Sequence, residues 1–161
     1  MCDGGFAAPL LSLIEDGVGL LLGTCDDDDV PRGTRAWGVR VVGDRLLRVT
    51  FSADDATVVA NAGGGLVAVT GADVRHLRSV QLKGRVQAIA EPDEDDLALA
   101  AEQTALFFEA IHETDRTEID VLRRILPARM LAAVVEVGDA FDQTPGPNAG
   151  AALETGDGTA G

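Results

Sequence analysis

This chain of 161 residues carries one lysine, Lys83, beside twelve arginines, and only two cysteines and two histidines. Each scarcity excludes something. Cys2 and Cys25 build no disulfide framework and have no metal-ligand spacing, which points to a reducing, cytoplasmic setting. His76 and His112 have no acid or nucleophile at a telling spacing, so neither a His-based metal site nor a Ser-His-Asp arrangement is expected. Basic residues are outnumbered, 13 against 27 acids, for a net charge of -14. A general nucleic-acid or anionic-membrane binder would need the opposite balance to neutralise phosphates. No apolar run approaches the length that spans a bilayer. The apolar start "FAAPLLSLIEDG" lacks a preceding basic region and reads as a short helix, not a signal peptide.

What is present suits one globular domain, with 46% apolar and 25% charged residues. Helices are expected at 9–16, at 52–62 (stopped by Gly63 to Gly65), at 95–113 and at 118–126 before Pro127. In the third of these, Leu97, Ala100, Ala101, Phe107 and Ile111 would face inward. Strands are expected at 18–24, 34–42, 45–51, 66–70, 76–90 and 130–137. The acidic "CDDDDVP" between the first two strands reads as a solvated turn, because a calcium loop needs spaced ligands and a glycine-bearing turn. Helices and strands do not alternate as βαβ units do. The expected fold class is therefore mainly β (α+β), a small antiparallel barrel with peripheral helices. Residues 1–141 would form the domain and 142–161 a Gly/Pro/Ala-rich tail.

Residues 34–51 read as a hairpin with a two-residue turn at Gly43-Asp44. That turn sets Val41 opposite Leu46, Val39 opposite Arg48, Trp37 opposite Thr50 and Arg35 opposite Ser52, on one face that becomes polar away from the turn. Ser52 is placed to cap the next helix, with Asp55 three residues on. Arg35 beside Ser52 would suit a phosphate at that helix start, or the segment is simply capped. In "SVQLKGRV", Val80, Leu82, Gly84 and Val86 share one face; Ser79, Gln81, Lys83, Arg85 and Gln87 share the other. That polar row is either a solvated face or one wall of a cleft that bonds the carbonyl edge of a flat ligand, with Trp37 or Phe51 packed on it.

The order of these elements resembles the pyridoxamine phosphate oxidase-like proteins, the superfamily of split barrels that bind flavin mononucleotide (FMN). The resemblance covers about residues 9–142 and is carried by "LLLGT", "PRGTRAWGV", "VVANAGGGLVAVT" and "QLKGRV". The segment "FDQTPGPNAG" is similar to the tail of some small bacterial members. It would be either an ordered arm that reaches a partner subunit or the cofactor, or a terminus without a role. Membership implies a homodimer with FMN at the subunit interface and redox chemistry on an unknown substrate. The alternatives are a non-enzymatic carrier, or a deazaflavin or haem ligand. By position, the resemblance implies that Arg35, Trp37, Thr50, Phe51, Ser52, Asn61, Gln81 and Lys83 line the cofactor. Members commonly place a Lys or Arg after the third strand to hold the phosphate. Here that segment is "SADDAT", which leaves the phosphate to Arg35 or Arg32.

Overall fold

Alternating inward apolar and outward polar or small residues closes the strands into a barrel. The computed structural model describes residue 6 and residues 8–154; Cys2 and the end of the tail lie outside the described residues. In chain order the elements are α1 (Ala8–Glu15), β1 (Gly19–Cys25), β2 (Pro31–Gly43), β3 (Leu46–Ser52), α2 (Ala56–Gly64), β4 (Leu66–Asp73) and β5 (Arg78–Ala90). There follow α3 (Glu94–Asp115), α4 (Ile119–Leu122) with a 3-10 turn (Arg123–Ile125), β6 (Met130–Asp142) and β7 (Ala152–Leu153). The sheet runs β3-β2-β1-β4-β5-β6-β7, and a further β3–β6 pairing closes six antiparallel strands on themselves. Closure removes the free edges that an open sheet would expose. The core is the barrel interior: Leu20 and Leu22, Val39, Leu47, Val49 and Phe51, Val67 and Val69, Val80 and Leu82, Ala133, Val135 and Val137.

The β2–β3 hairpin differs from the expected register. Its turn is Asp44-Arg45, with Arg45 at φ 57°, and Gly43 pairs with Leu46. Bulges between Ala36 and Gly38 and between Val41 and Gly43 shift the pairs, so that Val39 opposes Val49 and Arg40 opposes Arg48. The cause is burial: the shift puts Val39, Leu47, Val49 and Phe51 inside, all 0% exposed. Trp37, Arg40, Arg48 and Thr50 are left on the outer side, where α3 lies across β2.

That helix also sits differently from its apolar pattern. Its buried positions are Asp96, Ala100, Gln103, Phe107, Phe108 and Ala110, while Leu97 and Ala101 are exposed. Two polar side chains decide the rotation. Asp96 takes Arg48 at 2.7 Å and 2.8 Å through Nε and at 2.5 Å through Nη2, and Arg40 at 3.1 Å. Gln103 accepts from the Val39 N–H at 2.9 Å and donates to the Val39 carbonyl at 3.0 Å. A buried carboxylate and amide satisfied in this way can replace apolar residues on an inner face. Asp93 caps α3 with Asp96 in a reciprocal box.

Two further expectations are corrected. Asp55, not Ser52, caps α2, accepting from the N–H groups of Thr57 and Val58. The last barrel strand runs on to Asp142, past the glycine that suggested its end. The segment after it turns back on its own chain. Gln143 N–H bonds the Ser79 carbonyl, Thr144 Oγ1 accepts from Ser79 N–H, and Ala152 and Leu153 pair with Phe141 and Ala140. No helix among the described residues is long and apolar enough to cross a membrane.

Candidate functional site

The barrel's outer surface has two unlike halves. Over β2 and β3 it is covered by α3, and four of the expected cofactor residues belong to that half or to the core. Trp37 is 3% exposed, packs edge-on against Phe108 with centroids 6.4 Å apart, and donates its indole N–H to Ser52 Oγ at 2.8 Å. Thr50 and Ser52 are buried, and Phe51 is wholly inside the barrel. Ser52 therefore supports Trp37 and presents no donor pair to an anion beside Arg35.

On the other half, over β1, β4 and β5, the described residues leave the outward-facing side chains Leu21, Lys83 and Arg85 exposed. Strand pairing sets Arg35, Leu21, Thr70, Gln81 and Phe141 in one row across five strands, and Gly33, Gly23, Ala68, Lys83 and Asp139 in the next. With neighbouring strands about 4.8 Å apart, each row spans about 14 Å from its β2 to its β5 member. Small residues in the second row make its floor low, and Leu21 in the first is 49% exposed. Gln81 Nε2 donates to Thr70 Oγ1 at 3.3 Å. The ammonium of Lys83 lies 5.0 Å from the centre of the Phe141 ring, which holds the charge at the shelf's edge. Gly84 explains the residue after the lysine. A Cβ there would collide with the Glu136 carbonyl oxygen, so only glycine lets β5 and β6 approach so closely.

A groove of about 450 Å³ runs along this shelf, lined by Gly23, Thr24, Arg32, Ala68, Gln81 and Lys83 among others. Beside it, a second recess of about 500 Å³ is bounded by Cys25, Asp27, Asp29, Asn61, Leu66 and Arg85. Three buried side-chain polar atoms meet no partner among the described residues: Thr24 Oγ1, Asn61 Nδ2 and Arg40 Nε. Two of the three line these adjoining recesses. An orphaned buried polar atom costs stability unless something occupies the space beside it.

Charge marks the same half. Arg40, Arg48, Arg75, Arg78, Arg123 and Arg129 are ion-paired, and Arg45 donates to the Val137 and Gly138 carbonyls. Among the described residues Arg32, Arg35, Lys83 and Arg85 on this half have no acid or carbonyl partner within bonding distance, nor do Arg116 and Arg124 elsewhere, and Leu66, between two of the recesses, is 64% exposed. The sequence thus placed Arg35, Asn61, Gln81 and Lys83 about this surface. It missed Thr24, Thr70 and Arg85, of which Arg85 was legible as a member of the polar β5 row. The α2 start is closed to an anion: Asp55 occupies its N–H groups, and Asp54 accepts from Ala128 and Arg129 N–H. A recess of about 400 Å³ between α3 and α4, lined by Ala101, Ala105, Phe108 and Ile119, is mainly apolar.

No family model matches the sequence, and no curated protein does. Solved structures do resemble the fold. An F420 reductase matches with a TM-score of 0.53 at 20% identity over 80% of this chain and 93% of its own. An FMN-binding protein from Syntrophomonas wolfei matches with a TM-score of 0.52 at 13% identity over 82% of each chain. A protein related to general stress protein 26, of the pyridoxinephosphate oxidase family, from Clostridium acetobutylicum matches with a TM-score of 0.50 at 12% identity, over 83% of this chain and 84% of its own. At such identities the likeness is one of fold.

Proposed function

Starting from the split-barrel fold that this chain shares with those proteins, we propose that it binds a flavin-type cofactor on the bare shelf and is an oxidoreductase. The observation that carries the reading is the coincidence, on one half of the barrel, of a low floor, unpartnered buried polar atoms and unpaired cations. The residues present suit a flat ring with a polar edge. Gly23 and Ala68 leave room for its face, Leu21 adds an apolar contact, and Gln81 and Lys83 stand where a carbonyl edge would lie. They do not suit a phosphate at the start of α2. Bound there, a flavin or deazaflavin would supply hydride or electron transfer, which no side chain of this protein performs.

The chain's own part is positioning and electrostatics. Lys83 holds a positive charge at the edge of the shelf, where negative charge on a reduced ring would be stabilised. Gln81, tied to Thr70, presents an oriented amide. A second copy of the chain, laid over the exposed Leu21 and Leu66, would exclude water from the ring and complete the site as a homodimer.

The test is direct. The purified protein's visible spectrum is recorded before and after adding FMN, flavin fluorescence is titrated, and oxidation of reduced nicotinamides is followed. Saturable quenching is expected. A colourless protein that leaves flavin fluorescence unchanged and also binds no deazaflavin would overturn the reading. A carrier is the second reading, favoured by the aspartates that close α2; it predicts binding without turnover.

A further inference from the structure

The polar contacts that fix α3 turn its apolar stripe away from the barrel. Asp96 and Gln103 take the inner positions, so Leu97 and Ala101 face outward, toward α4. The segment that follows covers only part of that stripe. Ile119 of α4, Leu126 after the 3-10 turn and Met130 of β6 form a facing wall, and a recess of about 400 Å³ remains between the two sides. Alanine at 101 and 105 keeps it open, since larger side chains there would occupy the space. Phe108 lines it too, and Leu97 and Leu126 are left 48% and 43% exposed. Apolar side chains so open to water lose stabilisation that an apolar occupant would restore.

Size and charge narrow the occupant. The recess lies at the lower end of the range for small-molecule pockets, about 300–1,000 Å³. A helix matching α3 from Leu97 to Glu109 would be about 18 Å long and about 10 Å across, roughly 1,400 Å³, and most of it would stand outside. Three lining residues are polar: Thr104, Glu109 and Arg123. Arg123 is neutralised by Asp120 at 2.6 Å, and Glu109 lies in the field of the Arg75 guanidinium. Neither leaves a charge for a ligand ion to answer. Thr104 differs, because no other described residue bonds its hydroxyl.

We propose that the recess between α3 and α4 is a second binding site, for an uncharged and mainly apolar small molecule whose carbonyl or hydroxyl group bonds Thr104. It is separate from the shelf and does not depend on flavin binding. Trp37 is placed to sense it: the chain's only tryptophan packs edge-on against Phe108, with centroids 6.4 Å apart.

The experiment titrates the full chain with Nile red, an uncharged apolar dye with a ring carbonyl, and follows the emission of the dye and of Trp37. Saturable, blue-shifted dye emission with a parallel change at Trp37 is expected. Ala101→Phe and Ala105→Phe, at exposed positions, should each weaken binding at least about tenfold by filling the recess, with the melting curve and FMN affinity kept. Thr104→Val should weaken it about fivefold, the equivalent of one hydrogen bond. 1-Octanol should displace the dye, whereas octanoate, the same chain with a charged head, should not. Absence of a saturable signal, binding that survives both alanine substitutions, or displacement by octanoate as readily as by octanol would overturn the proposal. So would a dimer that either substitution dissociates, since the recess would then belong to a second copy of the chain.

Discussion

Removing the carboxylate of Asp96 should unlatch α3 from the barrel. The side chain is 2% exposed and engages Arg48 through both oxygens, with Arg40 as a second partner. In Asp96→Ala the two guanidiniums, 17% and 34% exposed, keep only Asp93, at 3.8 Å and 3.6 Å and itself 55% exposed. Breaking a buried pair from one side costs about 3–5 kcal/mol. The partial exposure of both arginines puts this case near the lower end, about 3 kcal/mol. For a chain of this length that corresponds to a fall in Tm of roughly 6–12 °C. Urea denaturation with an unchanged m-value, together with a thermal melt, checks it. Acid provides a second check. The hydrogen bonds from Arg48, opposed by burial, hold the Asp96 carboxyl well below its ordinary range. A depressed folded-state value means that the contribution is full above the unfolded value of about 4 and is lost as pH falls below it. The wild-type advantage should therefore shrink in that acid window and stay constant above it. A loss under about 1 kcal/mol at neutral pH would refute the latch.

Trp37→Phe should lower stability by about 1 kcal/mol through the lost Ser52 bond and leave flavin affinity unchanged, because the indole lies under α3; denaturation and titration check the two halves. Gly84→Ala should cost about 2 kcal/mol in denaturant, since its methyl meets the Glu136 carbonyl. Ala68→Phe should abolish flavin binding while leaving the melting curve within about 0.5 kcal/mol of wild type, because it fills the shelf and not the core. Asp55→Ala should destabilise α2 by about 1 kcal/mol, read by denaturation, without altering flavin affinity.

Much of this fold was legible because period and punctuation agreed. Gly, Pro and acidic clusters bounded each strand, and "SVQLKGRV" alternated cleanly over its length. The hairpin register was not legible, because two bulges change which residues face inward and no local residue pattern announces them. The rotation of α3 was hidden for another reason. Asp96 and Gln103 look like surface residues until Arg48 and the Val39 backbone arrive from β3 and β2. The polar half of the hairpin, expected to pack Trp37 on a ligand, is covered by α3 instead. Its Arg40 and Arg48 hold that helix through Asp96. Alternation put Lys83 and Gln81 on an outward face, and they lie on the open half; Trp37, Thr50, Phe51 and Ser52, expected beside the same ligand, lie in the packed half. The shelf itself is formed by cross-strand neighbours as far apart in sequence as Leu21 and Thr70 or Gln81 and Phe141, and sequence spacing does not reveal such a surface.

The location of the ligand is the central claim, and amide chemical-shift mapping on the isotope-labelled protein tests it most directly. On addition of FMN, the largest changes should fall at Gly23, Ala68, Thr70, Gln81 and Lys83. Residues under α3, Trp37 and Ser52 among them, should stay near their free positions. Changes centred on that buried half, or no changes at all, would contradict the account.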